Sequence, residues 1–166
     1  MALSRKEKGF TLIELLTVIA IFTVLIGIAT FSFRDVRLRS ALKGGVQSLE
    51  SDILWARTAA KTRQERVSVN LEVGADKEYT INLVRGNRIM RSGRIYNGVN
   101  ILSVMPNTSF TFNGTGMTEN ETTIVLNRVD AASTGIIDQY RLRLSITGIV
   151  LVERSLDGGS TWSRAW

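Results

Sequence analysis

The spacing of apolar residues divides the chain into three regimes. From Leu15 to Phe33 nineteen consecutive residues carry no charge. As a helix rising 1.5 Å per residue, that run spans about 28 Å, close to the roughly 30 Å hydrocarbon thickness of a bilayer. It predicts a membrane-spanning segment within 10–33, with 1–9 as a short polar leader. Beyond it the spacing becomes three and four: Leu38, Leu42, Gly45 or Val46, Leu49, Ile53, Ala56 and Ala60 share one side of a helix. An amphipathic continuation is therefore predicted over 34–64, its stripe turned toward a sheet. Gly44-Gly45 costs about 1 kcal/mol per glycine relative to alanine and is a place for this helix to bend. Trp55, among Ile53, Leu54 and Ala56, reads as a core anchor, with a subunit contact as the other reading.

After Gln64 the period changes to two, and 65–166 reads as a β-rich domain. Val67, Val69, Leu71 and Val73 alternate with polar residues, Gly74-Ala75-Asp76-Lys77 marks a turn, and Tyr79, Ile81 and Leu83 form the next strand, closed by Arg85-Gly86-Asn87. Further strands are predicted at 88–90, 99–104, 110–112, 123–126, 140–146 and 149–153. The stretch Asn127 to Asp138 reads as a mobile surface loop. The expected fold class is α+β: a long N-terminal helix on an antiparallel sheet.

Composition narrows the chemistry. The 166 residues contain no cysteine and no histidine, which removes disulfides, thiol catalysis, the usual nucleophile and base pairs, and most transition-metal sites. The formal charge is +6, of which Arg5, Lys6, Glu7 and Lys8 supply +2. The remaining excess suits an anionic partner without choosing one. No small-residue cleavage site follows the apolar run, so it stays in the mature protein. Arg34, Arg37, Arg39 and Lys43 outnumber the three basic residues of the leader, and loop charge does not set the orientation. One residue in the apolar segment is out of place: Glu14, four positions in from Phe10. An ionisable group there marks a functional position, or else snorkels to the interface of a plain anchor.

Lys8-Gly9-Phe10-Thr11-Leu12-Ile13-Glu14-Leu15-Leu16 resembles the processing motif of type IV prepilins and pseudopilins. The resemblance implies that a prepilin peptidase cuts between Gly9 and Phe10 on the cytoplasmic side and methylates the new amine of Phe10. It also implies a single-pass protein of the bacterial inner membrane with its domain in the periplasm, which joins other pilins or pseudopilins in a filament. Glu14 matches the family's assembly glutamate. Pairing with the Phe10 ammonium of a neighbouring subunit relieves the cost of an isolated carboxylate in a low-dielectric filament core.

Ser109-Phe110-Thr111-Phe112-Asn113-Gly114-Thr115-Gly116, the strand at 123–126, and Tyr140 through Thr147-Gly148 are similar to the GspH/FimT group of minor pseudopilins and minor pilins. The helix from Trp55 through Arg57, Ala59 and Ala60 to Lys61 is similar as well. The implied fold is pilin-like. Major pilins often have a proline in the N-terminal helix and a C-terminal disulfide loop. Here the single proline is Pro106 and cysteine is absent, which favours a minor subunit of a type IV pilus or type II secretion filament. Some FimT-type pilins bind DNA through arginines at the final glycine turn. In this chain Gly148 is followed by Ile149-Val150-Leu151-Val152, and Arg154 is the first basic residue.

Three other groups carry candidate chemistry. Arg85, Arg88, Arg91 and Arg94 fall at intervals of three; they read as charges guarding a strand edge, with phosphate contact in a DNA-binding minor pilin as the alternative. Arg141 and Arg143 alternate with Leu142 and Leu144, on the outer face of a strand. Ser155-Leu156-Asp157-Gly158-Gly159-Ser160-Thr161-Trp162 resembles the Asp-box hairpin of sialidase-like propellers. One copy makes a turn rather than a propeller, and Asp157 alone offers too few ligands for a cation. Asp130 and Asp138 lack a matching acid-base partner in the sequence, so no catalytic residue, metal ligand or cofactor is expected.

Overall fold

The computed structural model describes residues 10–75, 77–95, 98–128 and 138–166, the side chains of 29–35 excepted. It separates into two compact units, one ending at Arg37 and the other comprising Leu38–Trp166.

A single helix, α1 (Leu12–Arg63), enters both. In the first unit every described side chain from Leu12 to Ile28 is exposed. The two threonines inside this apolar surface turn back on their own helix: the Thr17 and Thr23 hydroxyls each donate to the carbonyl four residues earlier, at 2.8 Å. Their polarity is thus satisfied without an outside partner. The uncharged run of the sequence continues past residue 28 into side chains outside the described set. Among the described residues no helix is long and apolar enough to cross a membrane.

In the second unit α1 runs unbroken through Gly44-Gly45. Leu42, Val46, Leu49, Ile53, Ala56 and Ala60 are fully buried, as the three-four spacing requires. Leu38 is only half-buried and begins the stripe rather than anchoring it. The largest correction concerns Trp55, which is 36% exposed and not in the core. It sits two positions beyond Ile53, off the buried stripe.

Among the described residues the expected single sheet is two. The first contains β1 (Val67–Leu71), β3 (Glu78–Leu83), β4 (Arg88–Arg94) and β6 (Ser109–Phe112), in the order β4-β3-β1-β6. The second contains β2 (Gly74–Ala75), β5 (Val99–Met105), β7 (Thr122–Arg128), β8 (Gln139–Leu144), β9 (Val150–Ser155) and β10 (Ser163–Arg164), in the order β10-β9-β8-β7-β5-β2. All pairings are antiparallel. The split occurs at the stretch expected to be a turn. After Leu71 the chain leaves the first sheet, and Gly74 and Ala75 pair with Ile101 and Asn100 of β5 in the second. Asp76 of that expected turn lies outside the described residues.

Alternation along the strands explains the core. Val67, Val69, Tyr79, Ile81 and Phe112 from the first sheet, and Val99, Ile101, Ile124, Leu126, Leu142 and Leu144 from the second, join the helix stripe in one apolar cluster. Of the expected loop at 127–138, residues 129–137 lie outside the described set. Its ends are firm: Asn127 and Arg128 close β7, and Asp138 is buried.

Candidate functional site

The residues singled out by the sequence fall in separate places. Gly9 lies outside the described residues. Phe10 is 86% exposed and stands just before α1. Glu14 is in the first helical turn, where its amide donates to the Thr11 hydroxyl oxygen at 3.3 Å and its Oε2 accepts from the Thr11 amide and hydroxyl at 3.5 and 3.4 Å. This is the reciprocal cap of a Thr-x-x-Glu sequence.

In the second unit, α1 presents two side chains that fasten it to the sheets. Asp52 is three residues past Leu49 and four before Ala56, so it points inward and is buried. The Tyr79 hydroxyl donates to its Oδ2 in a very short bond, and the Arg91 guanidinium pairs with Oδ1 at 2.9 Å. Burial, and then the bond to the Asp52 carboxylate, push the Tyr79 phenol well above its ordinary value. Gly93 faces the Tyr79 ring so closely that a Cβ there would overlap it. Arg91 also lies over Trp55, 5.6 Å from the ring centroid, which gives the exposed indole a cationic neighbour. The sequence signal for Asp52 was a charge on the apolar stripe.

One turn further along, Arg57 reaches two loops at once. Its Nε donates to the Gly116 carbonyl at 3.2 Å and its Nη2 to the Thr147 carbonyl at 3.1 Å. Gly116 and Gly148 adopt positive φ, 79° and 76°. A Cβ on Gly116 would stand 2.7 Å from the Lys61 side chain, and one on Gly148 would stand 2.7 Å from the Arg57 Nε. The Asn113 side-chain oxygen orders the first loop, accepting from the Thr115 amide at 3.0 Å, the Thr115 hydroxyl at 2.7 Å and the Met117 amide at 3.0 Å. Residues that were scattered in the sequence resemblance, Arg57, Lys61, Gly116, Thr147 and Gly148, are thus one contact.

The four arginines on and beside β4 differ in their surroundings. Arg91 is taken by Asp52, Arg94 pairs with Glu78 at 2.9 Å, Arg85 lies 3.9 Å from Glu65, and Arg88 is exposed at the start of the strand. These side chains sit on or beside an edge strand. Beyond Gly148, Arg154 holds Asp138 with two bonds of 2.9 Å, which keep its guanidinium charged, and Arg141 holds Glu153 at 2.7 Å. Asp138, unpartnered in the sequence reading, is therefore structural. In the last hairpin both Asp157 oxygens are used: Oδ1 accepts from the Ser155 hydroxyl at 2.6 Å and the Thr161 amide at 2.9 Å, and Oδ2 from the Thr161 hydroxyl at 2.5 Å. The Trp162 indole donates to the Gly159 carbonyl at 2.9 Å and lies 4.2 Å from Arg141. Among the described residues no acidic cluster is large enough to hold a metal ion.

Comparison with known families matches residues 4–30 to the prokaryotic N-terminal methylation motif and residues 45–148, more than half of the chain, to the type II transport protein GspH. This chain belongs to the GspH family. The GspH match takes in Arg57, Gly116, Thr147 and Gly148, the residues through which α1 holds the two loops. No curated protein matches the chain. Among solved structures, the type IV minor pilin FimU of Pseudomonas aeruginosa PAO1 is similar, with a TM-score of 0.56 at 15% identity over 77% of this chain and 97% of FimU. The minor pseudopilin EpsH of the Vibrio cholerae type 2 secretion system gives 0.54 at 12% identity over 67% and 94%. These likenesses show a shared pilin-like α+β fold. A methylation motif ahead of a GspH domain gives this GspH-family chain the organisation of a membrane-anchored, pilin-like structural subunit.

Proposed function

We propose that the chain waits in the bacterial inner membrane as a single-pass protein with its domain in the periplasm. A prepilin peptidase trims it between Gly9 and Phe10 and methylates Phe10, and it then enters a type IV pilus or type II secretion filament beside other pilins or pseudopilins. It acts by packing, not by catalysis. The observation that carries this reading is the methylation motif at 4–30, which takes in a helical stretch, 12–28, whose apolar side chains are all exposed and whose one carboxylate is Glu14. Such a surface needs lipid before assembly and neighbouring helices afterwards. Pairing of Glu14 with a neighbour's Phe10 ammonium sets the register. The DNA-binding alternative has no specific support: Arg91 and Arg94 are engaged by carboxylates at 2.9 Å, which leaves Arg85 and Arg88 as the exposed pair of that cluster.

The test is Glu14→Ala in cells that carry the assembly machinery. The variant is expected to insert and be trimmed normally yet to be depleted from sheared filaments. Wild-type incorporation would refute the pairing. Gly9→Val is expected to keep its leader, and normal trimming of that variant would refute the processing step.

A further inference from the structure

The three tryptophans of the chain each lie beside a cation, and Trp166 is the one that ties the end of the second sheet to α1. The Ala165 amide donates to the Val152 carbonyl at 3.0 Å and its side chain packs against the core, which brings Trp166 onto the helix. There the indole Nε1 donates to Glu50 Oε2 at 3.3 Å, and the ring lies 5.9 Å from that of Tyr140. Lys43 Nζ stands 5.8 Å from the ring centroid, and Arg164 Nε donates to the Trp166 carbonyl at 3.0 Å. Held in this way, the tryptophan is still 44% exposed. Among the described residues neither Lys43 nor Arg164 is held by an aspartate or glutamate side chain, whereas Arg91, Arg94, Arg141 and Arg154 each are.

We propose that Trp166, Lys43 and Arg164 form a second membrane contact, one that rests on anionic phospholipid headgroups while the chain is stored. The inference rests on the reading of the chain as a single-pass membrane protein. An immobilised indole with one side open, set between two cations, suits the membrane–water interface: the ring sits among headgroups and the cations meet phosphates. Position along the chain favours the same occupant. Lys43 comes ten residues after Phe33, the last of the uncharged run, which is about 15 Å of helix. A headgroup layer is about 5–8 Å deep on each face, and its potential reaches roughly 8–10 Å further. The Lys43 ammonium is therefore within the field of the surface, and its stem can bend back toward it.

The local charge has the matching sign. From 34 to 43 the sequence has Arg34, Arg37, Arg39 and Lys43 against Asp35, four minus one, or +3. Arg164, far away in sequence, is added to this group by the docking of Trp166. Glu50 subtracts a charge, and it is also the group that fixes the indole. The basic excess that gives no help in orienting the span thus has an anionic surface to meet on the side of the domain.

The experiment uses the full-length chain reconstituted into vesicles, with Trp55→Phe and Trp162→Phe so that Trp166 is the one tryptophan left. Quenching by a lipid spin-labelled on its headgroup reads contact of the ring with the membrane surface. Quenching is expected to be about twofold greater or more in vesicles containing phosphatidylglycerol than in phosphatidylcholine alone, at low salt. The difference is expected to vanish near 1 M salt, where the Debye length is about 3 Å, and in the Lys43→Gln/Arg164→Gln double variant. In the chain with all its tryptophans, the Arg164 and Ala165 amides are expected to exchange more slowly with phosphatidylglycerol present, a readout that does not depend on the tryptophan substitutions. Equal quenching and equal exchange in the two vesicles, or a difference retained by the double variant, would overturn the proposal. The same slowing by millimolar inorganic phosphate over phosphatidylcholine would also overturn it, making the site one for a free anion. A chain that does not float with either vesicle at high salt would instead overturn the anchored reading beneath it.

Discussion

Gly148 stands so close to Arg57 that a Cβ built on it would lie 2.7 Å from the guanidinium Nε, and nearer still to the Gly116 carbonyl oxygen. The glycine turn and the helix therefore share one arginine, and the turn's positive φ of 76° closes the space for any other residue. Gly148→Ala is expected to cost about 3 kcal/mol, from left-handed backbone strain together with displacement of Arg57. Urea unfolding of the detergent-solubilised chain measures it. A loss below about 0.5 kcal/mol would mean that the turn is free to move away from α1.

The buried Asp52, Tyr79 and Arg91 group makes a second prediction, with a sign fixed by protonation. Tyr79 ionises with more difficulty in the folded state than its ordinary value of about 10, first because it is buried and then because Asp52 accepts its proton in a hydrogen bond. The folded state thus holds a proton that the unfolded state gives up. The contribution is fully present below about pH 10 and is lost as pH rises beyond it. Tyr79→Phe is expected to lower the unfolding free energy at pH 7 by about 1 kcal/mol for the lost bond, and to flatten its decline above pH 10. Asp52→Ala is expected to cost more, about 3 kcal/mol, because it strands Arg91 as well. A wild-type alkaline limb in Tyr79→Phe would contradict the assignment.

Much of this arrangement was legible before the structure, and the failures have physical causes. The stripe from Leu42 to Ala60 predicted the buried face because helical spacing alone decides which side chains share a side. Trp55 escaped that logic: its apolar neighbours in sequence point in other directions, and its partner Arg91 comes from a strand 36 positions away in the chain. The second sheet was hidden at β2, since Gly74 and Ala75 carry neither alternation nor β-branching and pair only because β5 lies beside them. Arg57 stood out only as a letter of the GspH/FimT-like helix, with nothing to say what it touches. Its targets are backbone carbonyls of Gly116 and Thr147, groups that every residue possesses and no pattern can flag.

The hairpin at Ser155–Trp162 offers a test at acidic pH. Hydrogen bonds from Ser155 and then Thr161 hold the Asp157 carboxyl below the usual carboxylate range. A depressed value stabilises the hairpin above that range and ceases to do so as pH falls through it. Asp157→Asn is expected to remove the acid-dependent part of the loosening of this hairpin, followed by the amide exchange of Gly159 and Thr161. With both Asp157 oxygens occupied, millimolar calcium is expected to leave the thermal midpoint unchanged. A calcium-dependent rise abolished by Asp157→Asn would make the turn a cation site.

The most direct measurement of the whole account is the N-terminal peptide of the chain recovered from sheared, purified filaments, identified by mass spectrometry. The account predicts a peptide that begins at Phe10 and carries a methyl group on its amine, in filaments that also contain other pilins or pseudopilins. A chain that keeps its first nine residues, remains in the membrane fraction and is missing from the filaments would contradict it.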